Sequence, residues 1–175
     1  MKNSILQGKR IMLRSLTEAD ITEEYLSWLN DPEVMAYMES KHLTHTMISL
    51  KKFVAETIKD KSTIFLAIIA DNKHIGNIKL GPINTIHKHG DIGIMIGNKA
   101  YWGKGHATEA IKLLVQFAFK ELHLHKLTAG FYSNNAASIK AFMNAGFREE
   151  GRLKQQFRFG QGYVDKVCLG LIQEE

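Results

Sequence analysis

The 175-residue chain has a single cysteine, no long hydrophobic run and no cluster of basic residues, and each absence excludes a class of protein. Because Cys168 has no second cysteine to pair with, an intramolecular disulfide is excluded. The longest apolar run, residues 64–70, is far shorter than the ~20 residues that span a bilayer, so no membrane segment is expected. The N-terminal residues lack the apolar core of a secretory signal, and a cytoplasmic location is expected.

The charge pattern disfavours a nucleic-acid-binding protein. The net charge of +5 arises from 23 basic and 18 acidic residues, which are interspersed along the chain. Without a basic stripe, a phosphate-bearing small ligand explains the positive charge at least as well as a nucleic acid. With 45% hydrophobic residues and no linker or repeat, residues 1–175 are predicted to form one domain.

Hydrophobic periodicity predicts a mixed sheet with helices on both faces, an α/β (α+β) fold. Strands are predicted at 9–16, 63–70, 74–83, 91–97, 126–132 and on both sides of the turn at 160–162. Helices are predicted to begin at Thr17 and to run over 46–58, 105–122 and 135–145, the last closed by Gly146.

The segment Trp102-Gly103-Lys104-Gly105-His106-Ala107-Thr108 lies between a predicted strand and the longest predicted helix. Its small residues leave backbone N–H groups accessible at a helix N-terminus, where free donors and the helix dipole favour an anion such as a diphosphate. The alternative is that the glycines only permit a tight turn between strand and helix.

Two nucleotide-binding motifs are similar to this segment and fail in detail. A P-loop requires a glycine five positions before Gly103 and a Ser or Thr after Lys104, whereas the chain has Gly97 and Gly105. The dinucleotide motif G-x-G-x-x-G fails because position 108 is threonine and no parallel βαβ unit precedes it.

The same segment resembles the GNAT N-acetyltransferase family when it is combined with Asn135-x-x-Ser138 and with residues 144–147 (Asn-Ala-Gly-Phe). The likeness extends from residues 30–34 to 162–165. It is similar in particular to the branch of ribosomal-protein N-terminal (alanine/serine) acetyltransferases and related amino-sugar and polyamine acetyltransferases. It implies a mostly antiparallel sheet of six to seven strands, in which 92–97 splays from its parallel neighbour 126–132.

The resemblance implies acetyl-CoA as cosubstrate and no metal. Backbone groups of Met95 and Ile96 would pair with the pantetheine arm, and one of them, assigned to Met95, would polarise the thioester carbonyl. Lys104 either contacts the phosphate or is solvated. The implied cofactor-binding residues are Met95, Ile96, Trp102, Gly103, Lys104, Gly105, His106, Ala107, Thr108, Asn135, Ser138 and Phe142.

The resemblance leaves the proton-transfer groups open. Phe142 occupies the position where the family often has a tyrosine that protonates the thiolate. Ser138 is the replacement candidate, although a serine there also suits the start of a helix. Asp91 is the candidate general base, although it can equally be a solvated carboxylate, and His87 and His89 compete with it.

The acceptor is not defined by the sequence. In this branch Tyr25, Trp28, Tyr37 and Glu39 lie where the acceptor site is shaped, although Trp28 also fits a core position. A small amine or an amino sugar is favoured over a protein N-terminus, and a non-catalytic acyl-CoA-binding module is the alternative of another class. The pair His123 and His125 has no third ligand nearby in sequence, so no metal is expected, and a homodimer remains open.

Overall fold

The computed structural model describes residues 5–173 and shows an eight-stranded sheet with helices on both faces. The strands are β1 Leu6–Gln7, β2 Ile11–Ser15, β3 Ile64–Ala70, β4 Lys73–Leu80, β5 His89–Ile96, β6 Lys126–Tyr132, β7 Arg148–Phe159 and β8 Gly162–Ile172. The helices are α1 Glu23–Asn30, α2 Met47–Lys59, α3 His106–Lys120 and α4 Ala136–Met143. The sheet order is β1-β2-β3-β4-β5-β6-β8-β7. The pair β5 and β6 is parallel and the other described pairs are antiparallel, which confirms the predicted fold class.

The sheet contains one strand more than the sequence predicted. The additional strand, β1, pairs Leu6 with Leu13 and Gln7 with Met12. Two residues are too few to display the alternation by which a strand is recognised in sequence.

The first helix begins later than predicted. Thr17 and Asp20 form the expected capping box, but it encloses a single 3-10 turn that ends at Asp20. Arg14 donates to both carboxylate oxygens of Asp20, at 2.6 and 2.7 Å, and holds this turn against β2. The N-cap of α1 is Thr22. The predicted capping box at Thr17 and Asp20 therefore exists, but it caps a 3-10 turn and not the first turn of α1.

Two apolar clusters pack on opposite faces of the sheet. One lies between the sheet and α3, whose contribution matches the predicted helical period: Ala110, Ile111, Leu114, Val115 and Ala118. The other lies beneath α1 and α2 and contains Leu16, Tyr25, Trp28, Leu50, Val54, Ala67 and Ile69. The sheet is thus covered on both sides, and access to its middle depends on gaps between strands.

Such a gap separates β5 from β6. The two strands pair over only three positions, from His89 with Lys126 to Asp91 with Thr128, although both strands continue beyond this point. From Ile92 onwards they diverge, which confirms the splayed pair. We call the space between 92–96 and 129–132 the opening.

Candidate functional site

The ladder between β4 and β5 decides which backbone groups of β5 face the opening. Gly81 N donates to Asp91 O at 2.8 Å, and Gly97 N donates to Ile75 O at 2.9 Å. Backbone groups alternate in direction along a strand. The β5 positions directed at β4 are therefore the odd-numbered ones from Asp91 through Met95 to Gly97.

The backbone of Met95 is consequently taken up by the sheet. Met95 pairs with Asn77 of β4, and its side chain packs into the cluster beneath α1 and α2. The prediction that Met95 offers backbone groups to a ligand is contradicted by this register. Ile94 and Ile96 face the opening instead, and the Ile96 carbonyl accepts a hydrogen bond from Trp102 Nε1 at 2.7 Å.

The loop before α3 has a backbone that requires glycine at two positions. Gly103 has φ +71° and Gly105 has φ +83°, both in the left-handed region that L-residues disfavour. Gly105 is also the N-cap of α3. These glycines are therefore required for the tight turn between strand and helix, and this requirement is compatible with a role in binding an anion.

This loop also presents a row of free donors. Within the described chain, no acceptor is recorded for the backbone N–H groups of residues 103–108, and the first amide of the following turn, Glu109 N, bonds back to Gly105 O. A Cβ placed on Gly103 would meet nothing within 4 Å, so the surface over the loop is open. The arrangement fits an oxygen-rich anion at the start of a 15-residue helix.

Arg10 holds the loop from behind. Its Nη1 donates to Lys104 O at 2.6 Å, while its backbone N and its Nε donate to the two carboxylate oxygens of Glu109, each at 2.9 Å. The sequence carried no signal for this contact, because Arg10 and Glu109 are 99 positions apart. Arg10 is thus a positioning residue for the donors at the start of α3.

The side chains of this loop differ in how far they are exposed to solvent. Lys104 is exposed, with Nζ 5.9 Å from the centre of the Tyr101 ring. His106 is 8% exposed, and burial lowers its pKa. Thr108 Oγ1 donates to Ala141 O at 3.4 Å and so joins α3 to α4, while Ala107 is half-buried. Apart from Lys104, the solvent-facing groups of this loop are therefore mainly backbone groups.

Helix α4 begins as the sequence predicted. Asn135 is its N-cap, and Asn135 Oδ1 accepts from Ser138 N at 3.3 Å. The Ser138 side chain is half-buried, and no hydrogen bond from its Oγ is recorded in the described chain. Its hydroxyl is therefore not needed for the cap.

Phe142 belongs to the core. Its exposure is 0%, and its ring packs edge-on against Phe131 at 4.8 Å and Phe147 at 5.0 Å between ring centres. The prediction that Phe142 contacts the cofactor is contradicted, because a fully enclosed ring has no surface to offer. Aromatic packing explains the residue without a role in binding.

We expect Phe142→Tyr to destabilise the protein by about 1–3 kcal/mol without raising turnover, since it places a hydroxyl among aromatic rings. Urea unfolding and initial rates measure the two effects. Phe53→Tyr, on the 46% exposed Phe53 of α2, is the matched control and should be neutral in both. A variant with increased kcat would show instead that position 142 reaches the reacting atoms.

Asp91 lies where β5 and β6 part. Its Oδ2 accepts a hydrogen bond from Thr128 Oγ1 at 3.0 Å. Burial raises the pKa of Asp91, whereas the Thr128 bond and the nearby Lys79 and Lys166 act in the opposite direction. A carboxylate with a raised pKa at the edge of a cleft is suited to accepting a proton near neutral pH.

His87 and His89 are farther from the opening. The two rings stack with centres 6.3 Å apart, and His89 pairs with Lys126 at the closed end of the β5–β6 pair. This placement favours Asp91 over the histidines as the group beside the diverging strands.

An aromatic cluster lies at the far end of β6. Tyr132 stacks on Phe157 with ring centres 4.2 Å apart, and Tyr37 stacks on Phe159 at 5.5 Å. Tyr37 OH also donates to Asn134 O at 3.2 Å. We call these four rings the aromatic wall; sequence spacing could not reveal it, because its members come from three separate segments.

The other residues suggested for the acceptor side are distributed differently. Tyr25 and Trp28 are buried in the core at 1% and 6% exposure, as the core alternative for Trp28 predicted. Glu39 is exposed at the start of a 3-10 turn. Tyr37 is therefore the member of this group that joins the aromatic wall.

Residues 5–173 contain neither a metal-binding cluster nor a membrane-spanning helix. No group of three or more His, Cys, Asp or Glu side chains there could hold a metal ion. No helix in that range is both long enough and apolar enough to cross a membrane.

Comparison with known proteins agrees with the resemblance inferred from the sequence. The family model "Acetyltransferase (GNAT) domain" matches residues 10–148. The SPbeta prophage-derived uncharacterized N-acetyltransferase YokL of Bacillus subtilis (strain 168) is 30% identical over 169 residues, covering 96% of this chain and 93% of that protein. Spermidine N(1)-acetyltransferase of Escherichia coli (strain K12) is 28% identical over 166 residues, covering 94% and 87%.

Solved structures share the fold at lower identity. Spermidine N-acetyltransferase from Vibrio cholerae, in complex with CoA and spermine, superposes with a TM-score of 0.85 at 24% identity and covers 95% of this chain and 97% of its own. RimL, a ribosomal L7/L12 alpha-N-protein acetyltransferase in complex with CoA, has a TM-score of 0.86 at 16% identity and covers 97% and 98%.

The family match covers most of the chain, and the curated relatives above are named N-acetyltransferases. An enzyme that transfers acetyl groups is therefore preferred to the alternative of a non-catalytic acyl-CoA-binding module. The chain belongs to the GNAT acetyltransferase family and is an acetyl-CoA-dependent N-acetyltransferase.

Proposed function

We propose that the acceptor is the primary amine of a small molecule, with amino sugars as the leading class. The observation that supports a small acceptor is Tyr37, which bonds to Asn134 before α4 and stacks on Phe159 of β7. These contacts join the α1–α2 segment to two elements beside the end of β6. From this bridge we infer that a compact amine is favoured over a polypeptide.

Backbone groups carry most of the donor site in this proposal. The free N–H groups of 103–108 hold the pyrophosphate, with Lys104 adding charge. The N–H groups of Ile94 and Ile96, which face the opening, take the part first assigned to Met95, pairing with the pantetheine arm and polarising the thioester carbonyl. Asn135 lies at the start of α4 and contacts the same arm.

The transfer needs no covalent enzyme intermediate. An uncharged amine attacks the thioester carbon, so that a C–N bond forms and the C–S bond breaks. Asp91 accepts the proton that the amine loses, directly or through a water molecule, and Ser138 donates a proton to the departing thiolate and recovers one from water. The two groups lie on different elements, β5 and α4, which flank the opening.

Product mass spectrometry tests the proposed acceptor. The full chain is incubated with acetyl-CoA and a panel of amino sugars, polyamines and peptides that begin with serine or alanine. We expect a single acetyl group on a small amine and unmodified peptides. Acetylation of the peptides in preference to every small amine would instead favour the protein N-terminal alternative.

We expect Ser138→Ala to lower kcat about tenfold with a much smaller effect on the KM for acetyl-CoA, because a hydrogen bond to a charged leaving group is lost. The cap of α4 survives, since it uses the Ser138 backbone N–H. Ser27→Ala, an exposed serine of α1, is the matched control. Unchanged kcat in Ser138→Ala would remove this residue from catalysis.

A further inference from the structure

A lysine side chain lies against the aromatic wall. Lys41 Nζ is 4.7 Å from the ring centre of Tyr132 and 5.0 Å from that of Phe159. Its recorded hydrogen bond is to Ala36 O at 3.4 Å. In the described part of the chain Lys41 forms no salt bridge, so its charge is balanced by ring faces and a carbonyl rather than by a carboxylate.

Lys41 also lines a pocket beside this wall. The pocket has a volume of 450 Å³ and is lined by Lys41, His42, Arg158 and Gly160. Two of these four residues carry a permanent positive charge, and none is acidic. A volume of this size suits one end of a small molecule.

One face of β6 runs from the opening towards Lys41. Thr128, Gly130 and Tyr132 alternate with the core-facing residues of β6 and therefore share a face. Thr128 holds Asp91 at one end of this row, and Tyr132 meets Lys41 at the other. Four residues of extended strand span about 13 Å, the length of a small bifunctional molecule.

A further lysine lies between the two ends. The Lys166 side chain passes over Gly130, where a Cβ would come within 2.6 Å of its Cε, and its Nζ is 5.9 Å from the Phe157 ring centre. Beyond Asp91, the row thus carries Lys166 and Lys41, and the carboxylate beside it, Glu150 over Gly170, is paired with Lys126 at 2.8 Å. Such a surface attracts an anion and repels a polycation.

We propose that the acceptor carries a phosphate or carboxylate at the end remote from its reacting amine, and that Lys41 binds this anionic group beside the aromatic wall. The inference rests on the proposed small-amine function and narrows it. It separates this chain from the spermidine acetyltransferases that it resembles, because a polyamine would bring positive charge to Lys41.

Calorimetric binding in the presence of CoA tests the proposal without turnover. The probes are glucosamine, glucosamine 6-phosphate, its carboxylate analogue 2-amino-2-deoxyglucuronic acid, and spermidine. We expect at least one anionic sugar to bind about tenfold more tightly than glucosamine, and spermidine to bind most weakly. The two anionic probes distinguish phosphate from carboxylate.

Charge reversal identifies the responsible side chain. Lys41→Glu should abolish the preference for the anionic sugar, whereas Lys51→Glu, an exposed lysine of α2 with the same change in net charge, should retain it. If Lys41→Glu does not fold, Lys41→Gln is used in the same binding test, and its melting temperature shows whether it is folded.

Several outcomes would overturn the inference: equal binding of charged and neutral sugars, no binding of either, tightest binding of spermidine, or an unchanged preference in both Lys41 variants. Failure of the proposed function is recognised separately, as the absence of any acetylated small amine by mass spectrometry.

Discussion

Replacing Asp91 with asparagine is expected to lower kcat about a thousandfold, in the range that a general base contributes. Asparagine keeps the shape of the side chain and can still accept the hydrogen bond from Thr128, so only proton acceptance is lost. The KM for acetyl-CoA should change little, because the N–H groups proposed to bind the pyrophosphate lie in the loop before α3 and Asp91 lies in β5. Initial rates of thiol release at saturating acceptor measure the effect.

The pH dependence gives an independent measure of the same group. Burial raises the pKa of Asp91, so the basic form is lost at a higher pH than for an exposed aspartate, and kcat/KM should fall as the pH drops through this raised value. Thr128→Val removes a bond that lowers the pKa, and the acid limb should therefore move to still higher pH. Asp60→Asn, at the exposed C-cap of α2, should leave rate and profile unchanged. An Asp91→Asn enzyme with full activity would exclude Asp91 as the base.

Replacing Gly105 with alanine is expected to raise the Kd for CoA roughly ten- to hundredfold, the equivalent of the strain of a side chain at positive φ. Gly105 has φ +83°, and an added Cβ would lie 3.2 Å from Arg10 Nη2. Relief of this contact displaces Arg10, which holds Lys104 O, and turns the free N–H groups away from the ligand. Calorimetric titration with CoA measures the change.

Variants at two other glycines distinguish backbone strain from the contact with Arg10 as the cause of weaker CoA binding. Gly103→Ala carries similar strain at φ +71° but meets nothing within 4 Å, so it should weaken CoA binding less than Gly105→Ala. Gly151→Ala has neither positive φ nor a close neighbour and should bind CoA normally. Unchanged affinity in a folded Gly105→Ala variant would contradict the assignment of this loop to the pyrophosphate.

Local sequence signals predicted the elements that frame the site. The period of α3 and the residues of β6 followed from hydrophobic patterning, and a helix was predicted to begin at Asn135, which is the N-cap of α4. These features depend on neighbours within a turn or a strand. The strained backbone at Gly103 and Gly105 is also local, which is why a short motif was enough to indicate it.

The errors at Met95 and Phe142 have a different origin. Whether Met95 offers its backbone to a ligand depends on its register with Asn77, and a shift of one residue would reverse the answer. Phe142 was assigned by analogy with a tyrosine position, but its environment is set by Phe131 and Phe147, which close around it only in the folded core.

The sequence by itself determined the family, the cosubstrate and the glycine-dependent turn before α3, because these rest on short-range patterns of glycine, helix start and strand. Only the tertiary structure decided which β5 groups face the opening, that Arg10 supports the loop, and that Lys41 meets Tyr132. The last two contacts join residues about ninety positions apart, and the first depends on the register of two strands, so none of the three is encoded by a local pattern.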